Sequence, residues 1–261
     1  MQIQNGVQIP DYDFSGKVAI VTGGGSGIGF AAAAQLAYYG ASVVIAGIPA
    51  AQCLEAARQI GGSCTAIPTD VSDPASVERL VQETVRRFGK LDILVCCAGI
   101  GGEVLPLLEQ SKEELDKVLA INLGGIFLCA KAAARQMIAQ GTGGSIVNTA
   151  SIAYVEGGGF HGPYGAAKAG VVTLTKTMAS EWAEHGIRVN AVCPGLTRTN
   201  INREVQADPE LYHTLTSKIP LRRMAEPAEI AALMLFLASD AASFITGSIM
   251  TADGGATVGG Q

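Results

Sequence analysis

The chain has 261 residues, a formal charge of −5, and a composition that is 48% hydrophobic and only 16% charged. That length gives one large α/β domain enough material for a sizeable core. The absence of any basic run argues against a nucleic acid or an anionic membrane surface as partner.

The N-terminus, Met1 to Asp13, is polar and lacks a cationic-then-apolar leader. No apolar run approaches the roughly 18–20 residues needed to cross a bilayer. The expectation is a cytoplasmic protein with no membrane partner. Six cysteines (Cys53, Cys64, Cys96, Cys97, Cys129 and Cys193) form no Cys-x-x-Cys pair and share no zinc spacing with the three histidines. They read as free, mostly buried thiols, with no metal.

Strand and helix signals then alternate to the end of the chain. Lys17–Thr22 is a short apolar strand, followed by glycines and an apolar helical run over Ile28–Tyr39. Gly40 stops that run, and Ser42–Ala46 reads as a second strand. A helix over Pro49–Gly61, a strand over Cys64–Thr69 and a helix over Asp73–Phe88 follow. In the last of these, Asp73 suits the N-cap and Pro74 the first helical position. Leu91–Cys96 is a fourth strand, and Lys112–Ala139 a long helix broken near its start. Ser145–Thr149 is a fifth strand, Tyr164–Glu184 a helix ended by His185-Gly186, and Arg188–Cys193 a sixth strand. Residues 198–222 are polar and proline-bounded and read as a loop with short helices. Pro227–Ala238 is helical and Ser248–Thr251 a seventh strand. Strands separated by helices imply right-handed crossovers in a doubly wound, Rossmann-like parallel sheet with helices on both faces. One domain over 1–261 is expected, with an N-terminal extension over 1–14 and a substrate lid over 198–222.

The first strand-to-helix turn reads Thr22-Gly23-Gly24-Gly25-Ser26-Gly27-Ile28-Gly29. Glycines let the main chain turn tightly and approach a pyrophosphate, whose charge faces the helix N-terminus. The spacing is Gly-x-x-x-Gly-x-Gly, without the Gly-Lys-Ser/Thr ending of a nucleoside-triphosphate loop. A dinucleotide is the expected cofactor. At the end of the second strand, where a ribose-binding acid is usual, stands Ala46-Gly47-Ile48. Arg and Lys are absent from 24–28 and 47–52, so a 2′-phosphate would lack a counter-charge. NAD is favoured over NADP. Asp70, ending the third strand, could reach the adenine edge.

Tyr164 and Lys168 stand four apart, with Ser151 thirteen residues upstream of the tyrosine. Positions i and i+4 share a helix face. A phenol with a pKa of about 10 is a poor base at neutral pH, and a neighbouring ammonium would pull it down toward the working range. A serine at a strand end could hold a substrate oxygen against it. Tyr-x-x-x-Lys pairs also occur on ordinary surface helices, so this pair alone does not establish chemistry.

Taken together, these motifs resemble the short-chain dehydrogenase/reductase family over nearly the whole chain, from about Gly16 to Gly255. The glycine loop matches the family's cofactor loop, and Asp70-Val71 its adenine-binding pair. Asn122 falls where the family has a helix-kinking asparagine. Ser151 and Tyr164-x-x-x-Lys168 match its catalytic residues. Pro194-Gly195-x-x-x-Thr199 matches the segment that holds the nicotinamide carboxamide, and Asp253-Gly254-Gly255 the C-terminal motif. The resemblance implies that Tyr164 is the acid/base, Lys168 binds the nicotinamide ribose, and Ser151 positions the carbonyl or alcohol. It also implies that Asn122 holds a water relaying protons from Lys168. Cofactor contacts are implied at Gly23, Gly25, Ser26, Gly27, Ile28, Gly29, Gly47, Asp70, Val71, Ala98, Gly99, Pro194, Gly195, Thr197 and Thr199, beside Tyr164 and Lys168. A homotetramer is implied, built on the two long helices.

Three positions depart from the family pattern: Cys97 replaces an amide that ties the sheet to the cofactor loop, Gly47 replaces the selecting acid, and Thr197 stands where an aliphatic residue is usual. Substrate recognition is expected from Gly101–Leu107, Ile152–Phe160 and 198–222, where Leu211, Tyr212, Leu215 and Ile219 share a face. His161 is a further candidate for substrate contact. The expected activity is hydride transfer between NAD(P) and an uncharged secondary alcohol or ketone, apolar or cyclic. The alternatives are a 3-oxoacyl-thioester reductase of lipid metabolism and a non-catalytic dinucleotide-binding sensor or scaffold.

Overall fold

The computed structural model describes residues 12–157 and 159–259. Most of the expected N-terminal extension, residues 1–11, and Gly158 of the triple glycine lie outside the described residues. Seven strands form: β1 (Val18–Thr22), β2 (Ser42–Gly47), β3 (Cys64–Pro68), β4 (Ile93–Cys96), β5 (Gly144–Thr149), β6 (Ile187–Pro194) and β7 (Ile249–Ala252). They make one parallel sheet in the order β3-β2-β1-β4-β5-β6-β7. The order reverses between β1 and β4, which pair from Ala19↔Ile93 to Thr22↔Cys96. A doubly wound sheet opens its ligand crevice at such a switch point, beyond the strand C-termini.

Side chains alternate across each strand, so period two decides which helix each residue meets. Ile20, Val44, Leu94, Ile146 and Val189 face one core with α3 (Pro74–Phe88), α5 (Gly125–Gln140) and α7 (Gly162–Trp182). Val21, Ile45, Val95, Val147 and Val192 face the other, with α1 (Gly27–Tyr38), α2 (Ala50–Ile60) and α10 (Pro227–Ala238). Asp73 caps α3 as its sequence suggests, accepting from the Ala75 and Ser76 amides ahead of Pro74.

The helix expected over 112–139 is α4 (Lys112–Leu119), a π turn over Ala120–Gly124, and α5, run together without a gap. The expected break is thus a widened turn, the kind of helix defect that recurs at functional sites. The whole span, Lys112–Gln140, is 29 residues and long and apolar enough to cross a membrane by length and composition. This corrects the expectation that no such run exists. Packing accounts for the apolarity, because Ile126, Cys129, Ala130, Ala133 and Met137 are all buried in the core shared with the sheet.

One short element, α6 (Ala153–Glu156), falls inside a stretch read as a loop, while the short helices expected in 198–222 are α8 (Arg203–Ala207) and α9 (Pro209–Thr216). A final turn, α11, covers Ala256–Gly259.

Candidate active site

A cavity of about 470 Å³ opens beyond the strand C-termini at the switch point. One wall is the β1–α1 loop. Gly23 has φ of +65°, and a Cβ there would sit 2.7 Å from the Ala98 amide nitrogen. A Cβ on Gly29 would lie 2.4 Å from the Gly23 carbonyl oxygen, so this glycine lets α1 close onto the loop. Ser26 makes no side-chain cap to α1, and the first turn holds no acid. The first-turn amides lack intrahelical partners by geometry and are left to meet an anion. A groove floored by main chain and ending on free amides fits a diphosphate.

The opposite end carries the polar side chains. Ser151 follows β5, and Tyr164 and Lys168 project from the first two turns of α7 into the same space. The Lys168 Nζ donates to the Thr149 carbonyl at 2.8 Å and lies 5.5 Å from the centre of the Tyr164 ring. Burial pulls the Lys168 ammonium down to about 8, with the thiols of Cys97, Cys193 and Cys96 working weakly the other way.

The tyrosine corrects an expectation. Burial pushes the Tyr164 phenol up, against a lowering hydrogen bond from the Ser151 hydroxyl, and Cys193 raises it further. Lys168 does not lower it here. The ammonium is turned onto the Thr149 carbonyl, and desolvation weighs against charge on the phenol and the amine alike.

Every residue expected to touch the cofactor lines this cavity, from Gly23 and Gly25 through Ser26, Gly27, Ile28, Gly29, Gly47, Asp70, Val71, Ala98 and Gly99 to Pro194, Gly195, Thr197 and Thr199. Asp70 is held by Ser72, whose amide and hydroxyl donate to its Oδ1 at 2.9 and 2.6 Å. Thr197 is buried, and its hydroxyl donates to the Gly195 carbonyl at 2.9 Å, tightening the turn.

Asn122 is the exception among the four expected catalytic residues. It is fully buried in the π turn and does not line the cavity. Its Oδ1 accepts from the Ile100 amide and its Nδ2 donates to the Ile100 carbonyl, both at 2.8 Å. It therefore positions the chain after β4.

Cys97 also lines the cavity. The Thr149 hydroxyl donates to its Sγ at 3.3 Å, and its thiol faces Met234 Sδ at 3.8 Å. The tie between sheet and loop survives elsewhere: the Ala98 amide donates to the Thr22 hydroxyl at 3.3 Å, and the Cys97 amide to the Thr22 carbonyl at 3.1 Å.

Of the first two recognition segments, Gly101 and Ile152 reach the cavity, and so does the separate candidate His161. The shared face of Leu211, Tyr212, Leu215 and Ile219 does not. Ile219 docks against Gly254, and Tyr212 lies beneath Arg198. The part of 198–222 that does reach the cavity is Thr199 and Asn200–Asn202, with Asn202 Nδ2 donating to the Thr197 carbonyl at 2.8 Å. No sequence periodicity marks Asn200–Asn202. Ile100, Ile121 and Gln52 are wall residues that fall outside every expected recognition segment.

A family model described as enoyl-(acyl carrier protein) reductase matches residues 23–257. The chain belongs to the short-chain dehydrogenase/reductase family. It is 45% identical over 248 residues to a 2,5-dichloro-2,5-cyclohexadiene-1,4-diol dehydrogenase of Sphingobium indicum, covering 94% of this chain and 98% of that one. It is 43% identical over 246 residues to a cis-4-hydroxycyclohexanecarboxylate dehydrogenase of Sinomonas cyclohexanicum, with the same coverage. A D-threitol dehydrogenase of Mycolicibacterium smegmatis is 41% identical over 253 residues, covering 95% of this chain and 96% of the relative. A solved short-chain dehydrogenase/reductase from Mycobacterium marinum superposes with a TM-score of 0.89 at 40% identity, over 95% of this chain and 98% of that one. The protein is an NAD(P)-dependent dehydrogenase acting on CH–OH groups of small-molecule alcohols.

Proposed function

We propose that this dehydrogenase prefers NAD and interconverts a cyclic secondary alcohol and its ketone. The observation that carries the reading is the joint placement of Ser151, Tyr164 and Lys168 at the end of the cavity away from the Gly23–Gly29 loop. The bound nicotinamide supplies the hydride donor or acceptor. Ser151 holds the substrate oxygen. Tyr164 gives that oxygen a proton in reduction and takes one in oxidation. Lys168, released from Thr149, holds the ribose and passes the proton onward. Asn122 fixes Ile100 beside Gly99, and a water at the π turn completes the relay. The relay is tested by Asn122→Ala, for which kcat should fall more than cofactor affinity.

The NAD preference rests on the adenosine end. There the wall offers Gly47, Ile48 and Gln52, and among the described lining residues Lys168 is the one Lys or Arg side chain. A 2′-phosphate at Gly47 would be desolvated with no counter-charge. The cyclic-alcohol reading draws on the apolar wall of Ile100, Ile121, Ile152 and Ile201, and on the two relatives named for six-membered-ring alcohols. A homotetramer is part of the proposal, supported by half-exposed Phe127 and Ile138 on α5 and fully exposed Phe244; a monomeric mass by light scattering would refute it.

The test is the appearance of reduced nicotinamide absorbance with cyclohexanol and with linear secondary alcohols, each with NAD and with NADP. Higher kcat/KM for the ring compounds with NAD is expected. Turnover confined to 3-oxoacyl thioesters with NADPH would replace this reading with a lipid-synthesis reductase.

A further inference from the structure

His161 stands at the N-cap of α7, one turn before Tyr164. It is half-buried and lines the cavity, as do Tyr164 and Ile152. Among the described residues its imidazole makes no hydrogen bond and no ion pair. Its main chain, by contrast, is held firmly. The His161 carbonyl accepts from the Gly165 amide at 2.9 Å, and the Leu105 amide donates to the Phe160 carbonyl at 3.2 Å. A Cβ on Gly162 would lie 2.8 Å from Leu107 Cδ1, so this turn is pressed against the loop after β4. Phe160 is a non-glycine residue at φ +69°. Such strain persists only where surrounding structure enforces it. The backbone is fixed, and a polar ring without a partner among the described residues lines a cavity that Ile100, Ile121, Ile152 and Ile201 also line.

We propose that His161 is a second polar anchor of the substrate end, and that the substrate class is a cyclic diol. One hydroxyl sits between Ser151 and Tyr164, and the other pairs with the His161 imidazole. The inference rests on the alcohol-dehydrogenase reading and adds a second recognition point to it. A neutral imidazole offers one donor and one acceptor, so a hydroxyl can satisfy either nitrogen. The four isoleucines take the ring between the two anchors. A carboxylate is the poorer match, because the one Lys or Arg among the described lining residues, Lys168, is at the other anchor and is taken up by the nicotinamide ribose. A site built to hydrogen-bond a hydroxyl discriminates against the analogue that lacks it, since its own polar group is then left unpaired.

The experiment compares cis-cyclohexane-1,4-diol with cyclohexanol in the wild-type enzyme and in His161→Phe and His161→Gln, using NAD. The wild type should favour the diol in kcat/KM by on the order of tenfold, mostly through KM. His161→Phe keeps an aromatic ring and loses the hydrogen bond, so the ratio should fall close to one. His161→Gln restores a donor and acceptor and should recover part of the ratio. Imidazole proton signals of His161 should also shift on adding the diol and not on adding cyclohexanol. An unchanged ratio in His161→Phe overturns the proposal, whatever the absolute rates. A wild-type ratio near one overturns it while leaving the dehydrogenase reading intact. Turnover of neither compound removes the cyclic-alcohol reading, and the anchor with it.

Discussion

The two ends of the cavity are built from different material. Around Gly23–Gly29 the wall is main chain, shaped by what side chains are missing. Around Ser151, Tyr164 and Lys168 it is side chain, shaped by which functional groups are present. The first end needs space and free amides, so it fails when an atom is added. The second needs particular oxygens and nitrogens, so it fails when an atom is removed. That contrast orders the expected effects of substitution.

The largest loss should come from removing one oxygen. Tyr164→Phe deletes the proposed acid/base and should lower kcat by about 10²–10⁴-fold, the usual contribution of a positioned proton donor. Binding of reduced nicotinamide, read by fluorescence, should change little in comparison. If Tyr164→Phe kept most of the turnover, the side-chain end would not be where proton transfer happens.

Next comes the addition of one carbon at the other end. Gly23→Ala would place a methyl 2.7 Å from the Ala98 nitrogen while holding φ at +65°. The strain costs on the order of 1–3 kcal/mol, and the displaced loop should weaken dinucleotide binding at least tenfold. Gly25→Ala is the control. Its methyl would lie 3.1 Å from Gln52 Cγ, part of a flexible side chain that can turn aside. Calorimetric titration of both variants with NAD checks the contrast, and equal losses would break it.

The legibility of the sequence follows the same division. Glycine spacing exposed the main-chain wall, since close approach has few chemical solutions. The Asp73-Pro74 cap was equally readable, because capping is a local matter. Asn122 had no such signal. Its two bonds to Ile100 span 22 residues, and only the family resemblance pointed to it. Asn200–Asn202 lie inside the 198–222 stretch expected to meet substrate, but an irregular cavity wall has no period, so the face singled out there was the periodic one, Leu211, Tyr212, Leu215 and Ile219, which lies outside the cavity. The direction of the Tyr164 shift was misread for a related reason: spacing places Lys168 nearby, but burial of both groups is a property of the folded sheet.

That buried ammonium has a consequence for stability. Lys168 is lowered from 10.5 to about 8. A lysine whose folded value is depressed opposes folding while it is charged, below about pH 8. Between pH 8 and 10.5 the unfolded chain binds the extra proton, so stability from this group rises with pH. Lys168→Met should therefore be more stable than the wild type near pH 7, by on the order of 1–2 kcal/mol, and inactive. The gap should close as pH climbs toward 10.5, as read by urea unfolding at each pH. A gap that widened with pH would mean that the ammonium stabilises the fold.

The smallest effect is expected at the position that departs most visibly from the family pattern. Cys97 sits where the two ends of the cavity meet, yet its thiol makes only sulfur contacts with Thr149 and Met234, and burial holds it up at about 11. A neutral thiol is a weak partner. The Thr22 hydroxyl and carbonyl already secure the turn through the Ala98 and Cys97 amides, and neither bond involves the side chain at 97. Cys97→Ala should cost about 1 kcal/mol, mainly from leaving the Thr149 hydroxyl unpaired, and should shift NAD affinity less than threefold. A loss as large as that of Gly23→Ala would show that the thiol, and not Thr22, ties the sheet to the cofactor loop. The main-chain end would then depend on a side chain after all.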